Sequence, residues 1–133
     1  MAPEVIAQNV YDWSADIWSL GITILEMTQG APPYFYLHPL KALFTISRPD
    51  TPAPNLPDNN LSKDGRFKYS KDMRDFIGLC CQRKSNLRPS AHTLLKHRWF
   101  RSIRSKKIQD LLECMNERLF DKVAEEQVLN ELV

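Results

Sequence analysis

The chain has 133 residues, with 18 Lys and Arg against 16 Asp and Glu for a formal net charge of +2, a size that suits one modest domain and a charge balance that leaves no electrostatic footprint for nucleic acid or an anionic membrane. No apolar run reaches the roughly 18 residues needed to cross a bilayer and no basic-then-apolar leader opens the chain, so the expectation is a soluble, cytoplasmic protein. Its three cysteines, Cys80, Cys81 and Cys114, show no C-x-x-C spacing for zinc or redox chemistry and read as ordinary thiols of a reducing compartment.

The chain opens on Met1-Ala2-Pro3-Glu4-Val5-Ile6, semi-apolar residues where a free terminus is usually polar, and this start reads as a cut. The stretch 14–30 reads as one long buried helix. Ser14 is a suitable N-cap, Asp16 sets a carboxylate against the helix dipole, and Gly30 supplies a left-handed stop before Pro32 and Pro33. Ile17, Trp18, Leu20, Ile22, Ile24, Leu25 and Met27 go nearly all the way round it, while Asp16, Ser19, Thr23 and Glu26 form a single polar stripe.

A short helix is expected over 39–46, with Pro39 in its first turn and Leu40, Leu43 and Phe44 on one face. Residues 48–69 form a long loop, since Pro49, Pro52, Pro54 and Pro57 stand too close for helix or central strand; its polar second half is expected to be mobile. Ser70 then caps a helix over 71–82 whose Met73, Phe76, Ile77 and Cys80 make a core stripe. Ser90 caps a shorter helix through Lys96 that buries Leu94 and Leu95. From 101 onward the chain turns first basic and then acidic, with Ile108, Leu112, Met115, Leu119 and Val123 at helical spacing. That pattern predicts an amphipathic tail helix, which packs on its own domain or docks on a partner helix or groove.

Three short motifs, in order, carry a family resemblance: Ala2-Pro3-Glu4, then Asp16-Ile17-Trp18-Ser19-Leu20-Gly21, then Arg88-Pro89-Ser90, supported by Pro32-Pro33-Tyr34 and His97-x-Trp99-Phe100. A-P-E is a protein-kinase signature that follows the activation loop. Over residues 1–100 the chain resembles the C-terminal half of a eukaryotic protein kinase. Ser19-Leu20-Gly21-Ile22-Thr23, Glu26-Met27 and His38-Pro39-Leu40-Lys41-Ala42-Leu43-Phe44 are most similar to the sterile-twenty and germinal-centre serine/threonine kinases.

The resemblance implies an all-α fold, the helical half of a kinase domain (1–100, truncated) followed by the amphipathic tail (101–133). It implies that Ala2, Pro3, Glu4, Asp16, Trp18, Gly21 and Arg88 are structural motif residues: Glu4 pairs with Arg88, Asp16 holds the catalytic loop, and Trp18 anchors the core. Chemistry favours Arg at 88, because its planar fork takes a carboxylate bidentately where Lys does not. Met1, Glu26, Tyr34 and His38 are implied as substrate-docking positions, Glu26 toward a basic residue of a peptide. For His38, His92 and His97, which lack ligand spacing and a paired acid, surface or capping roles are expected.

The family transfers phosphate with a Gly-rich loop, a strand Lys, an H-R-D Asp and a D-F-G Asp on magnesium. These 133 residues contain none of those motifs. No catalytic, cofactor-binding or metal-ligating residue is therefore expected here, ATP and Mg belonging to the full-length family. The expected partners are protein substrates or regulatory proteins and the missing N-terminal portion of a kinase, not nucleic acid or a membrane. The primary reading is a fragment of a serine/threonine kinase that is inactive alone. The alternatives are a catalytically dead module that competes with full-length kinases, and a non-functional gene fragment.

Overall fold

The computed structural model describes residues 1–59, 61 and 68–103. The chain divides into two compact units, Met1–Trp99 and Phe100–Val133, and the second falls almost wholly outside the described residues, as does the expected tail helix. The described residues are helical, with one isolated antiparallel bridge between Leu61 and Lys68. Most of the polar second half of the long loop also lies outside them.

A single turn, α1 (Pro3–Ile6), leads into the central helix α2 (Ser14–Gln29). Its start differs from the sequence expectation. Ser14 is the first helical residue and Trp13, which has no capping side chain, takes the N-cap position, while Asp12 one residue before it accepts the Ser14 N–H on Oδ1 at 2.9 Å. The Ser14 hydroxyl is buried without a hydrogen-bond partner. At the other end Gly30 takes φ +76° and donates its N–H to the Glu26 carbonyl at 2.8 Å, a left-handed stop that a side chain would resist.

Helix α4 (Lys71–Cys80) begins at Ser70, whose Oγ accepts the Met73 N–H at 3.1 Å, and it ends two residues earlier than the stripe suggested. It packs on α2. Trp18 and Leu25 from α2, Phe76, Ile77 and Cys80 from α4, and Cys81 are the largest of the fully buried side chains. The two backbones approach closely at Gly21, where a Cβ would lie 2.6 Å from Cys81 Sγ and 2.8 Å from Cys80 Cβ.

Among the described residues, the buried side chains of α2 lie on one face, toward α4, the 3-10 turn and Arg88. Leu20 is 41% and Met27 79% exposed, so the expectation of a helix buried nearly all round is corrected: its packed neighbours cover one face, and Leu20 and Met27 fall on the other. The polar stripe Asp16, Ser19, Thr23 and Glu26 is exposed.

Helix α3 (Pro39–Ser47) packs against α1. Its face is also rotated from expectation, because Ala42, Leu43 and Ile46 are half-buried while Leu40 and Phe44 stand in solvent. A 3-10 turn (Ser85–Leu87) leads to α5 (Ala91–Leu94), capped by Ser90 Oγ accepting the Thr93 N–H at 3.3 Å. Leu94 is buried but Leu95 is 61% exposed, since α5 stops at Leu94 and the chain turns away before Leu95 reaches the core. In α6 (Arg98–Ile103) the first turn is tied by His97, whose Nδ1 accepts the Trp99 N–H at 3.2 Å while Nε2 lies 3.1 Å from Asp75.

Arginines hold the loops to this helical frame. The proline-rich loop has few amides to satisfy its own carbonyls, because each Pro lacks an N–H. Arg74 on α4 supplies donors to the carbonyls of Leu56, at 2.6 Å, and of Pro57, and also meets Asp58. Leu56 is buried beneath this clamp. Arg83 donates to the carbonyls of Ile46 and Arg48 at 2.6 Å each, satisfying groups at the C-terminal end of α3. Among the described residues no helix is long and apolar enough to cross a membrane.

Candidate functional site

Arg88 organises the described site. It follows the 3-10 turn in extended backbone, which directs its side chain under α2. The residue is only 3% exposed, and all five of its N–H donors are used. Nη1 donates to Glu4 Oε1 at 2.6 Å and to the Ser14 carbonyl at 2.9 Å. Nη2 donates to Glu4 Oε2 at 2.8 Å and to the Arg83 carbonyl at 3.4 Å, and Nε donates to the Gln82 carbonyl at 2.8 Å. The guanidinium carbon also lies 5.1 Å from the Trp18 ring centroid, a cation–π placement.

This geometry brings three of the sequence-singled residues together, Glu4 from α1, Trp18 from α2 and Arg88, and Ala2 ahead of α1 is buried. Burial alone would raise the Glu4 carboxyl, but hydrogen bonds from Arg88 and the backbone, with the Arg88 charge, outweigh it and hold the group below its ordinary 4.5. The arrangement is an anchor. The hydrogen-bonding atoms of the Arg88 guanidinium are all engaged, and through Glu4 and the Ser14 carbonyl it fixes the 1–14 segment to the helical frame. Pro3 is buried in the first turn of α1, where its missing N–H costs nothing, and Gly21 lies in the α2–α4 contact.

The implied docking positions are spread over separate elements. Met1 is exposed ahead of α1, and Glu26 is exposed near the end of α2. Tyr34 and His38 lie in the link between α2 and α3, where Tyr34 takes φ +65° and exposed His38 precedes Pro39. Tyr34 lines a groove of about 490 Å³ along α3, with Lys41, Phe44, Arg48, Asp50 and Pro52 also on its walls. Asp16 is exposed at the head of α2.

Arg74 and Arg83 were not singled out by their sequence context, yet each ties a loop to the frame. The signal was present in part, since a proline-rich loop leaves carbonyls that need outside donors. Cys80 and Cys81 are buried free thiols, each pushed up to about 12 by burial, which makes them poor nucleophiles. Among the described residues, no group of three His, Cys, Asp or Glu side chains could hold a metal ion.

The sequence profile of the protein kinase domain matches residues 1–100. Serine/threonine-protein kinase 4 homolog A of Dictyostelium discoideum is 46% identical over 97 residues, covering 73% of this chain and 20% of that protein. Serine/threonine-protein kinase sid1 of Schizosaccharomyces pombe is 40% identical over 134 residues, covering 100% of this chain and 26% of its own length. Serine/threonine-protein kinase hippo of Drosophila melanogaster is 40% identical over 108 residues, covering 81% of this chain and 15% of that protein. The chain therefore spans about a quarter or less of the length of these relatives.

Proposed function

The chain belongs to the protein kinase family, as part of its helical C-terminal lobe and most similar to the sterile-twenty and germinal-centre serine/threonine kinases, and from that membership we propose that it is the scaffold portion of an ATP-dependent kinase of cytoplasmic signalling. The observation that carries the reading is the match over residues 1–100, which includes the Glu4–Arg88 pair that closes the lobe. In such an enzyme this stretch supports the catalytic loop through α2 and presents part of the surface on which protein substrates or regulators dock. Phosphoryl transfer itself depends on positioning and on neutralising charge around ATP and Mg. The residues of this chain do not supply that site: no Gly-rich loop, H-R-D or D-F-G is among them. Residues 101–133 are proposed as an amphipathic tail beyond the kinase portion.

Replacing the corresponding segment of hippo with residues 1–133 tests the proposal. The chimera is expected to transfer phosphate from ATP to serine or threonine of a generic protein substrate, whereas residues 1–133 alone are expected to transfer none. A chimera that folds cooperatively but is inactive would overturn the reading, and so would transfer by the isolated chain.

The exposed apolar residues of α3 favour a second reading, an interaction module that works without catalysis by competing with full-length kinases. A binding partner retained by the isolated chain, with no phosphate transferred by the chimera, would select it.

A further inference from the structure

We infer that the groove between Tyr34 and α3 is a docking site for a partner peptide that places a large aromatic or aliphatic side chain beside carboxylates. The inference rests on the docking half of the proposed function and not on catalysis.

Three observations converge on the groove. The first is apolar exposure: Phe44 on its wall is 66% exposed, and Leu40, one helical turn before it, is more so. Phe35 and Tyr36, edge-to-face at 5.3 Å, add two more exposed rings in the preceding link. Aromatic residues grouped on a surface, rather than scattered singly, mark interaction sites.

The second is backbone conformation. Tyr34 has φ +65°, a left-handed value that Gly or Asn adopts easily and a bulky side chain resists. Keeping a tyrosine there costs stability that a glycine would not, and such positions concentrate at ligand clamps. The ring that this conformation presents is on the groove wall.

The third is charge. Arg48 and Asp50 neutralise each other through Nε–Oδ1 at 2.9 Å and a second Nη2–Oδ2 bond. Lys41, on the same wall, has no ion-pair partner among the described residues. The groove therefore carries one uncompensated cation set among apolar surface. A purely apolar occupant would leave that ammonium to be desolvated alone, and a basic one would be repelled. An acidic–aromatic segment satisfies both parts.

The probe is a short fluorescein-labelled peptide with Phe and Leu flanked by glutamates, titrated into residues 1–133 and followed by anisotropy, with a charge-reversed peptide carrying lysines as the comparison. The acidic peptide is expected to bind at least about tenfold more tightly than the lysine peptide, and less tightly as salt is raised. Lys41→Glu should reverse the preference, and Phe44→Ala should weaken binding by about tenfold or more. Tyr34→Gly is the variant that separates binding from folding: the melting temperature should hold or rise while binding falls. Equal affinity for the two peptides, no binding of the acidic one, or binding unchanged in all three variants would overturn the inference. A concentration-dependent dimer that disappears in Phe44→Ala, without peptide binding, would overturn it in favour of a second copy of the chain. None of these failures touches the phosphate-transfer test of the chimera, so the two readings fail separately.

Discussion

Arg88 and Glu4, 84 residues apart in the chain, meet through two parallel hydrogen bonds of 2.6 and 2.8 Å in a pocket that leaves Arg88 almost no contact with water. A buried guanidinium has no substitute for its carboxylate. Removing one partner of such a pair costs about 3–5 kcal/mol, because the other charge is left buried and unpaired. Arg98, which meets Asp72 at 3.3 Å on the surface, is the natural control, since exposed pairs contribute about 0–1 kcal/mol. Arg88→Ala is therefore expected to lower the urea midpoint far more than Arg98→Ala, and Arg88→Lys should fail to restore it for want of the fork. Equal midpoints for Arg88→Ala and Arg98→Ala would sink the assignment.

The same pair sets a pH dependence. The Glu4 carboxyl is held below its ordinary 4.5 in the folded chain, so folding favours the ionised form. The stability it contributes is complete above about pH 4.5, where the unfolded group is ionised too, and is lost as pH falls through the lower folded value. Unfolding free energies measured from pH 6 down to pH 3 should decline more steeply for the wild type than for Glu4→Gln. Parallel curves would show that Glu4 does not report the coupling.

The core was largely legible in the sequence because spacing sets which residues share a face. Met73, Phe76, Ile77 and Cys80 read as one core stripe of a Ser70-capped helix, and the last three form the buried side of α4 while Met73 is half-buried. Periodicity does not say what covers a face. Leu20, Met27, Leu40 and Phe44 are apolar at helical spacing like their buried neighbours, yet they stay exposed, because α2 and α3 each have packing on one side among the described residues. The bond between Glu4 and Arg88 came from motif resemblance, as no local rule links residues so far apart in sequence. The carbonyl clamps of Arg74 and Arg83 depend on the path of loops, which propensities do not fix. Ser14 shows the limit at helix ends: it is a good cap by type, yet the helix starts one residue earlier, so Trp13 takes the cap position and Asp12 accepts the Ser14 N–H instead.

Buried thiols give a reporter of opening. Cys80 and Cys81 have no exposed surface and their thiols are pushed up to about 12, so little thiolate exists at neutral pH and none is within reach of a reagent. With Cys114→Ser removing the third thiol, modification by an aromatic disulfide reagent at pH 8 should be slow in native buffer and should accelerate in step with urea unfolding. Immediate reaction of both thiols in native buffer would contradict the packing of α4 on α2.

Gly21 carries the tightest requirement in that packing. It is central in α2, where glycine is a poor helix former and alanine a better one by about 0.8–1 kcal/mol. Propensity alone therefore predicts that Gly21→Ala stabilises the chain. Sterics predict the opposite, because the added Cβ would stand 2.6 Å from Cys81 Sγ and 2.8 Å from Cys80 Cβ, both in the fully buried contact with α4. Overpacking of a filled core costs about 1–3 kcal/mol, which exceeds the gain in propensity. Gly21→Ala is expected to destabilise, by urea denaturation, and Cys81→Ala in the same chain should recover part of the loss by withdrawing the sulfur. Cys80 Cβ remains in place in that double variant, so recovery should be incomplete, and the two substitutions should combine non-additively. A stabilised Gly21→Ala variant would mean that α2 and α4 stand further apart than described, and that glycine is dispensable at this crossing.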